Sequence, residues 1–183
     1  PGPDCAHLVS SDEVAPVTMR IVNAGTDTVH LVSPSTCGGH HIEVVDATGL
    51  WFPGPSCSPA CEGSLLGECG CLANCPAPVT IALMPGGTYE TSWEGWVAQV
   101  TEASEACAGE CAGECSLRVP PATGPMQLLV GLATTLDCDE NCTCTPNAQG
   151  WCELPGIYPS ITEVNVEAID WPTPCPTVEL TVQ

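Results

Sequence analysis

Fifteen cysteines fall in a chain of 183 residues, and no two of them are spaced as C-x-x-C. That density belongs to disulfide scaffolds, because a reducing cytosol keeps thiols from pairing. Zinc ribbons, thioredoxin-type sites, c-type haem attachment and ferredoxin-type clusters all draw on a C-x-x-C pair, whose two intervening residues let both sulfurs turn toward one centre. None of these chemistries fits the spacing. The expectation is a disulfide-stapled chain that works outside the cytosol: secreted, periplasmic or at the cell surface.

A chain of this length should bury roughly 70% of its unfolded surface, so it can own a hydrophobic core. The staples then tie down segments that lack one. Only Arg20 and Arg118 are basic, against 22 acidic residues, for a formal charge of −20. Phosphate binding works by Lys and Arg displacing counterions, and anionic lipid surfaces need the same residues. Nucleic acid is therefore excluded as a partner, and a basic protein, or membership of a larger assembly, is the electrostatic expectation. The apolar run from Met126 to Leu136 is well short of the roughly 20 residues that span a bilayer, so no direct membrane insertion is expected. The opening Pro1-Gly2-Pro3-Asp4-Cys5 has neither a basic n-region nor an apolar h-region, as expected of a chain whose signal peptide has been removed.

Strand signals dominate: Val, Ile and Thr alternate with polar residues, punctuated by Gly and Pro. Residues 14–22 and 27–32 read as a hairpin around Asn23-Ala24-Gly25-Thr26, where Asn and Gly would supply positive φ. Residues 42–46 and 50–52 read as another around Ala47-Thr48-Gly49. Further strands are expected at 78–83, 88–93, 96–100, 126–135, 161–169 and 177–182, with the turn Met84-Pro85-Gly86-Gly87 between the first two. The long apolar stretch 126–135 predicts a central position. Glu163, Asn165 and Glu167 alternate with Val164, Val166 and Ala168, the pattern of a strand with one wet face. Many short strands and almost no helix predict an all-β fold, an antiparallel β-sandwich forming one domain over 1–183. Cysteine-rich insertions are expected at 53–77, 101–124 and 137–160.

The order Val17-Thr18-Met19-Arg20-Ile21-Val22-Asn23-Ala24-Gly25, then Glu43-Val44-Val45-Asp46-Ala47-Thr48-Gly49, then Leu83-Met84-Pro85-Gly86-Gly87-Thr88-Tyr89, then Trp93, resembles the immunoglobulin-like domain of the intracellular proteinase inhibitor (BsuPI-type) family. The resemblance covers about residues 14–100 and consists of turns, so it implies an immunoglobulin-like fold more than an activity. Protease inhibition by an exposed loop is what it would add as an alternative function. The cysteines and the expected export depart from that family.

Twelve cysteines lie in the three insertions: Cys57, Cys61, Cys69, Cys71 and Cys75; Cys107, Cys111 and Cys115; Cys138, Cys142, Cys144 and Cys152. Cys5, Cys37 and Cys175 stand apart. The first and third groups share an inverted spacing, which places them together at one end of the sandwich. The first two groups hold odd numbers, so each sends a bond outside itself, and toward each other is the natural exit.

Several motifs bear on chemistry. Cys107-Ala-Gly-Glu-Cys111-Ala-Gly-Glu-Cys115, if residues 101–117 are helical, lines three sulfurs along one face as a soft-metal site would; the plain alternative is three bonds to neighbouring loops. Cys69-Gly-Cys71 and Cys142-Thr-Cys144 could be exchangeable disulfides, but a chain with two cations has little to stabilise thiolate, and structural pairing is expected. Cys37-Gly-Gly-His40-His41 resembles part of a copper site, with His30 upstream, yet lacks the Met such sites use, and adjacent strand residues face opposite ways. Asp137, Asp139 and Asn141 open like a calcium loop, but Cys142 stands where its glycine should be and Ala148 where its bidentate Glu should be. Trp151 and Trp171, beside Gly, Pro and Cys, are candidate partner anchors. No Gly-x-Ser-x-Gly or His-Glu-x-x-His is present, and no enzyme is expected.

The reading is a non-enzymatic, disulfide-stapled binding or assembly module, serving adhesion or as an accessory subunit and needing no cofactor. Calcium or copper binding by the acidic and cysteine-rich loops, and protease inhibition, are the alternatives. An odd cysteine total leaves one thiol free, capped or bonded to another chain. Intact mass of the native protein, before and after alkylation without reductant, should therefore show seven bonds and at most one labelled thiol. Several labelled thiols would overturn the scaffold reading.

Overall fold

In the computed structural model, which describes residues 4–10, 14–32, 41–54, 58–70, 79–133, 136, 142–156, 163–171 and 177–183, the alternating segments pair as twelve strands. They are β1 Val17–Asn23, β2 Val29–Val32, β3 Ile42–Val45, β4 Trp51–Phe52, β5 Val79–Leu83, β6 Thr88–Trp93, β7 Val97–Ala103, β8 Gly113–Val119, β9 Gly124–Ala133, β10 Trp151–Pro155, β11 Glu163–Trp171 and β12 Thr177–Val182. Two short helices, α1 Cys61–Leu65 and α2 Glu105–Ala108, flank β8. The result is the expected β-sandwich, built from a small sheet in the order β12-β1-β6 and a large one holding the other strands.

The apolar run 126–135 does become the central strand of the large sheet. β9 pairs with β11 along residues 124–132, and on its other edge with β3 at 127–130 and β2 at 131–133. From that line the sheet divides into two arms, one running through β2 to β5 and β10, the other through β3 and β4 to β7 and β8. The small sheet closes over both. Met19 and Ile21 of β1, Trp93 of β6 and Leu180 of β12 meet Leu31, Ile42, Ile81, Met126, Leu128 and Val130 in one core, each at most 1% exposed. Alternate positions along a strand face one way, so this interleaving follows from the period-2 pattern of the sequence.

Several local expectations are corrected. Residues 14–22 and 27–32 are not a hairpin, because β1 lies in the small sheet and β2 in the large one. Asn23 explains the crossover: fully buried, its Nδ2 donates to the carbonyls of Asp27 and Leu83, its Oδ1 accepts the Gly25 N–H, and its backbone bonds Gly86 and Gly87. Its φ is not positive; among the described residues only glycines have positive φ, Gly86 at 73° in the Met84–Gly87 turn among them. That turn likewise crosses between sheets.

The expected insertions at 101–124 and 137–160 contain sheet strands, β8 and β10, and residues 101–117 are not one helix. Gly109 at φ 56° and Gly113 at φ 136° end the helical stretch, as glycines with left-handed backbone do, and the chain then re-enters the sheet. The sandwich is not wholly antiparallel, since β1 and β12 pair in parallel, as strands from the two ends of a chain are free to do. In β11 two positions expected on the dry face are wet: Val166 is 49% exposed and Ala168 exposed, while Ile169 packs against the core.

Asp46 fixes the β3–β4 hairpin to the chain before β9. Its Oδ1 accepts the N–H groups of Thr48 and Leu50 and the Thr48 hydroxyl, and its Oδ2 accepts the Ala122 N–H, all within 3.0 Å. Burial opposes ionisation of this carboxyl, but the donors outweigh it and hold its pKa below the usual carboxylate range. A depressed folded-state pKa contributes stability that is present above the unfolded value and lost as pH falls through the folded one. Asp46→Ala should therefore cost about 2–3 kcal/mol in urea unfolding at pH 7. Asp46→Asn, which keeps one acceptor oxygen, should cost less, and both deficits should shrink as pH falls below the ordinary carboxylate range. A deficit that is independent of pH would refute this account.

Candidate functional site in the stapled lobe

Cysteine spacing and strand pairing together build a second core beside the β7–β8 arm. Cys5 bonds Cys107, Cys61 bonds Cys115 and Cys69 bonds Cys111, closing sequence separations of 102, 54 and 42 residues. The three sulfurs of the four-residue repeat thus leave in three directions, one to the N-terminal segment and two to the first cysteine group. Around them pack Leu8, Ala103, Ala108 and Leu117, with Cys61 and Cys115 fully buried. The lobe is stitched further by polar contacts. Ser10 N–H donates to Glu62 Oε1, Arg118 N–H donates to Ser10 Oγ, and Ser116 N–H donates to the Pro59 carbonyl.

These bonds decide the soft-metal reading of Cys107, Cys111 and Cys115. It falls on two counts: the segment is not a continuous helix, and a sulfur held in a disulfide is not the thiolate a soft metal needs. Among the described residues all nine cysteines are disulfide-bonded, Cys142 included, and Cys144 pairs with Cys152. That last bond covers Ala82 and Leu154 on the outer face of β5 and β10. The first and third cysteine groups were expected together, but their described members sit on opposite arms of the large sheet.

Of the other candidates, His40, Asp137, Asp139 and Asn141 lie outside the described residues, as do Cys37, Cys57, Cys71, Cys75, Cys138 and Cys175. Among the described residues no three His, Cys, Asp or Glu side chains gather as a metal site. His41 is buried, with Nε2 donating to the Val79 carbonyl at 2.8 Å and Nδ1 left to accept from the Tyr89 hydroxyl at 3.4 Å. Both ring nitrogens therefore serve the fold. His30 has its Nδ1 at 3.1 Å from the Ala133 carbonyl.

Trp151 is a strand residue, not a loop residue. It sits on β10, its ring meets Tyr89 of the small sheet edge-on at 5.1 Å, and with Thr88, Glu90 and Gln149 it borders an open cleft. Trp171 ends β11 opposite Gly124.

Sequence reasoning missed a second cleft, against the lobe itself. Ser58, Ala60, Trp96, Ala98, Ser116 and Arg118 help line a cavity of about 140 Å³. The Arg118 guanidinium lies 4.8 Å from the centre of the Trp96 ring, and the inner side of that ring meets Phe52 edge-on. The only hint in the sequence was that Arg118 is one of two cations.

Within the lobe Ser64 is fully buried and its Oγ has no hydrogen-bond partner. An unpaired buried hydroxyl costs stability, and Ala is the better helix former. Ser64→Ala should raise the unfolding free energy of the oxidised protein by about 1 kcal/mol, read by urea denaturation; a loss of similar size would show that the hydroxyl is needed. The chain matches no protein-family model, no curated protein and no solved structure, so its function has to be argued from its own residues.

Proposed function

We propose that this chain is a non-enzymatic binding or assembly module that works outside the reducing cytosol, secreted, periplasmic or on the cell surface, and presents its stapled lobe to a protein partner. The observation that carries the reading is the set of three disulfides that fasten an N-terminal turn, α1, α2 and β8 into one body. Cross-links of this kind remove conformational freedom that a recognition surface would otherwise lose on docking. Bonds closing separations of 42 to 102 residues also favour an oxidising compartment. No helix among the described residues is long and apolar enough to cross a membrane.

The lobe's charge supports a basic partner. Glu102, Glu105, Glu110 and Glu114 are all exposed on or beside it, within a chain of net charge −20. Such a field steers cationic surfaces inward and keeps nucleic acid and anionic lipid away.

Carbodiimide coupling tests the reading directly, since the chain has no lysine and every coupled amine belongs to a partner or to a chain terminus. In the native extracytoplasmic fraction, one stoichiometric partner should couple through the lobe glutamates, and reduction with alkylation should abolish the product. Migration as an uncoupled monomer, or coupling spread evenly over the surface, would overturn the proposal.

A further inference from the structure

The two cations of this chain are used differently. Arg20 on β1 faces Glu90 and Glu179 across its two neighbouring strands; its Nε and Nη2 both donate to Glu90 Oε1, at 3.0 and 2.8 Å, and Nη1 lies 3.8 Å from Glu179. Arg118 on β8 has no such partner among the described residues. The carboxylate paired with it, on Glu94, stands 3.7 Å from Nη1, beyond hydrogen-bond distance. That oxygen, Oε2, already accepts the Trp96 indole N–H, which holds it beside the arginine without filling the guanidinium. Contact with the Trp96 ring fixes the group at the mouth of the cleft, with its side chain 60% exposed.

Two further polar groups border the same cleft. The Ser58 and Ser116 hydroxyls are shielded from solvent and have no hydrogen-bond partner. Buried hydroxyls without partners are uncommon, and here two of them accompany an unfilled guanidinium. All three groups can donate, and the guanidinium, which cannot accept, is the one that calls for an acceptor. The small Ala60 and Ala98 walls leave about 140 Å³, the share of roughly five water-sized groups, which suits one planar carboxylate and its stem. A guanidinium matches the two oxygens of a carboxylate with parallel N–H donors.

We propose that this cleft is a carboxylate-binding site, and that the segment it receives presents a carboxylate flanked by basic residues. The flanking charge follows from the field. Within about a Debye length, some 8 Å at physiological salt, a free anion is repelled by a body of net charge −20, whereas neighbouring Lys or Arg turn that approach attractive. Arg118 then anchors the carboxylate at the mouth of the cleft. The inference names the chemistry of the partner on the binding-module reading and rests on that reading for biological meaning, but the site can be measured without the partner.

The test uses acetyl-Lys-Gly with a free carboxylate and the same dipeptide as its C-terminal amide, followed through the side-chain resonances of Arg118 Nε and Trp96 Nε1. The amide carries one more positive charge, so attraction by the overall field alone favours it. The proposed site favours the acid, by about tenfold. Arg118→Gln should abolish the preference, Arg20→Gln should leave it intact, and Glu94→Gln should tighten binding of the acid by removing the competing carboxylate. Equal or tighter binding of the amide, or a preference that survives Arg118→Gln, would overturn the site. Failure of the carbodiimide coupling with the acid preference intact would overturn the partner reading alone.

Discussion

Residues 127–132 of β9 each have one Cα partner on β11 and another on β2 or β3, and the rest of the molecule is arranged by that double occupancy. Val32 sits opposite Gly131 and Ile42 opposite Val130, so β2 and β3 share one edge end to end. A strand has two edges and β11 holds the other. Each half of the edge must then be extended by a different set of strands, which is why the large sheet runs on as two arms. Both arms offer apolar residues to the same small sheet, so a single core forms beneath a divided sheet. The division separates the two disulfide-bonded regions, placing Cys144–Cys152 with β10 and the three-bond lobe with β8.

The lobe differs from the sandwich in what holds it. Its buried side chains are few and small, Ala103, Ala108, Leu8 and Leu117 among them, and half-cystines supply much of the remaining apolar volume. Its helices have five and four residues, too short to persist alone. Covalent closure substitutes for core size, and a small interior crossed by three bonds leaves the exposed glutamates on a surface with little freedom to move. The main core of the sandwich is built of apolar side chains, and the described bonds lie outside it.

Strand positions were legible from the sequence because period-2 alternation survives wherever one face is buried. Sheet membership was not. Asn23 and the Met84–Gly87 turn read as hairpin signals, yet both connect the two sheets, and the bonds that tie Asn23 to Leu83, Gly86 and Gly87 some 60 residues on are invisible in local sequence. β8 was hidden by its own cysteines: spacing of four at 107, 111 and 115 has a helical period, while the alternation of buried Cys115 and Leu117 with Glu114, Ser116 and Arg118 is short and falls after two glycines. β11 misled in phase, because the apolar positions Val166 and Ala168 lie exposed while Ile169, at the opposite parity, packs against the core. The site was less legible still. Trp96 and Arg118 are brought together by the β7–β8 pairing, and Ser58 is brought to them by the Ala60–Ser116 bridge and the neighbouring Cys61–Cys115 bond, none of which leaves a trace in local sequence.

With 22 acids and two arginines, the chance surroundings of any cation in this chain are carboxylates, and Arg20 shows what the fold does when it satisfies one. An exposed pair of that kind adds little stability, so Arg20 is placed by strand register more than by energy. Arg118 has the same opportunity with Glu94, but the indole of Trp96 competes for the carboxylate oxygen and the arginine is left stacked and unfilled. Holding it there takes Trp96 against Phe52 on one side and the Cys115-anchored strand on the other. The core, a disulfide and a tryptophan thus hold the Arg118 donors oriented at the mouth of the cleft, with no carboxylate among the described residues within hydrogen-bond distance of them.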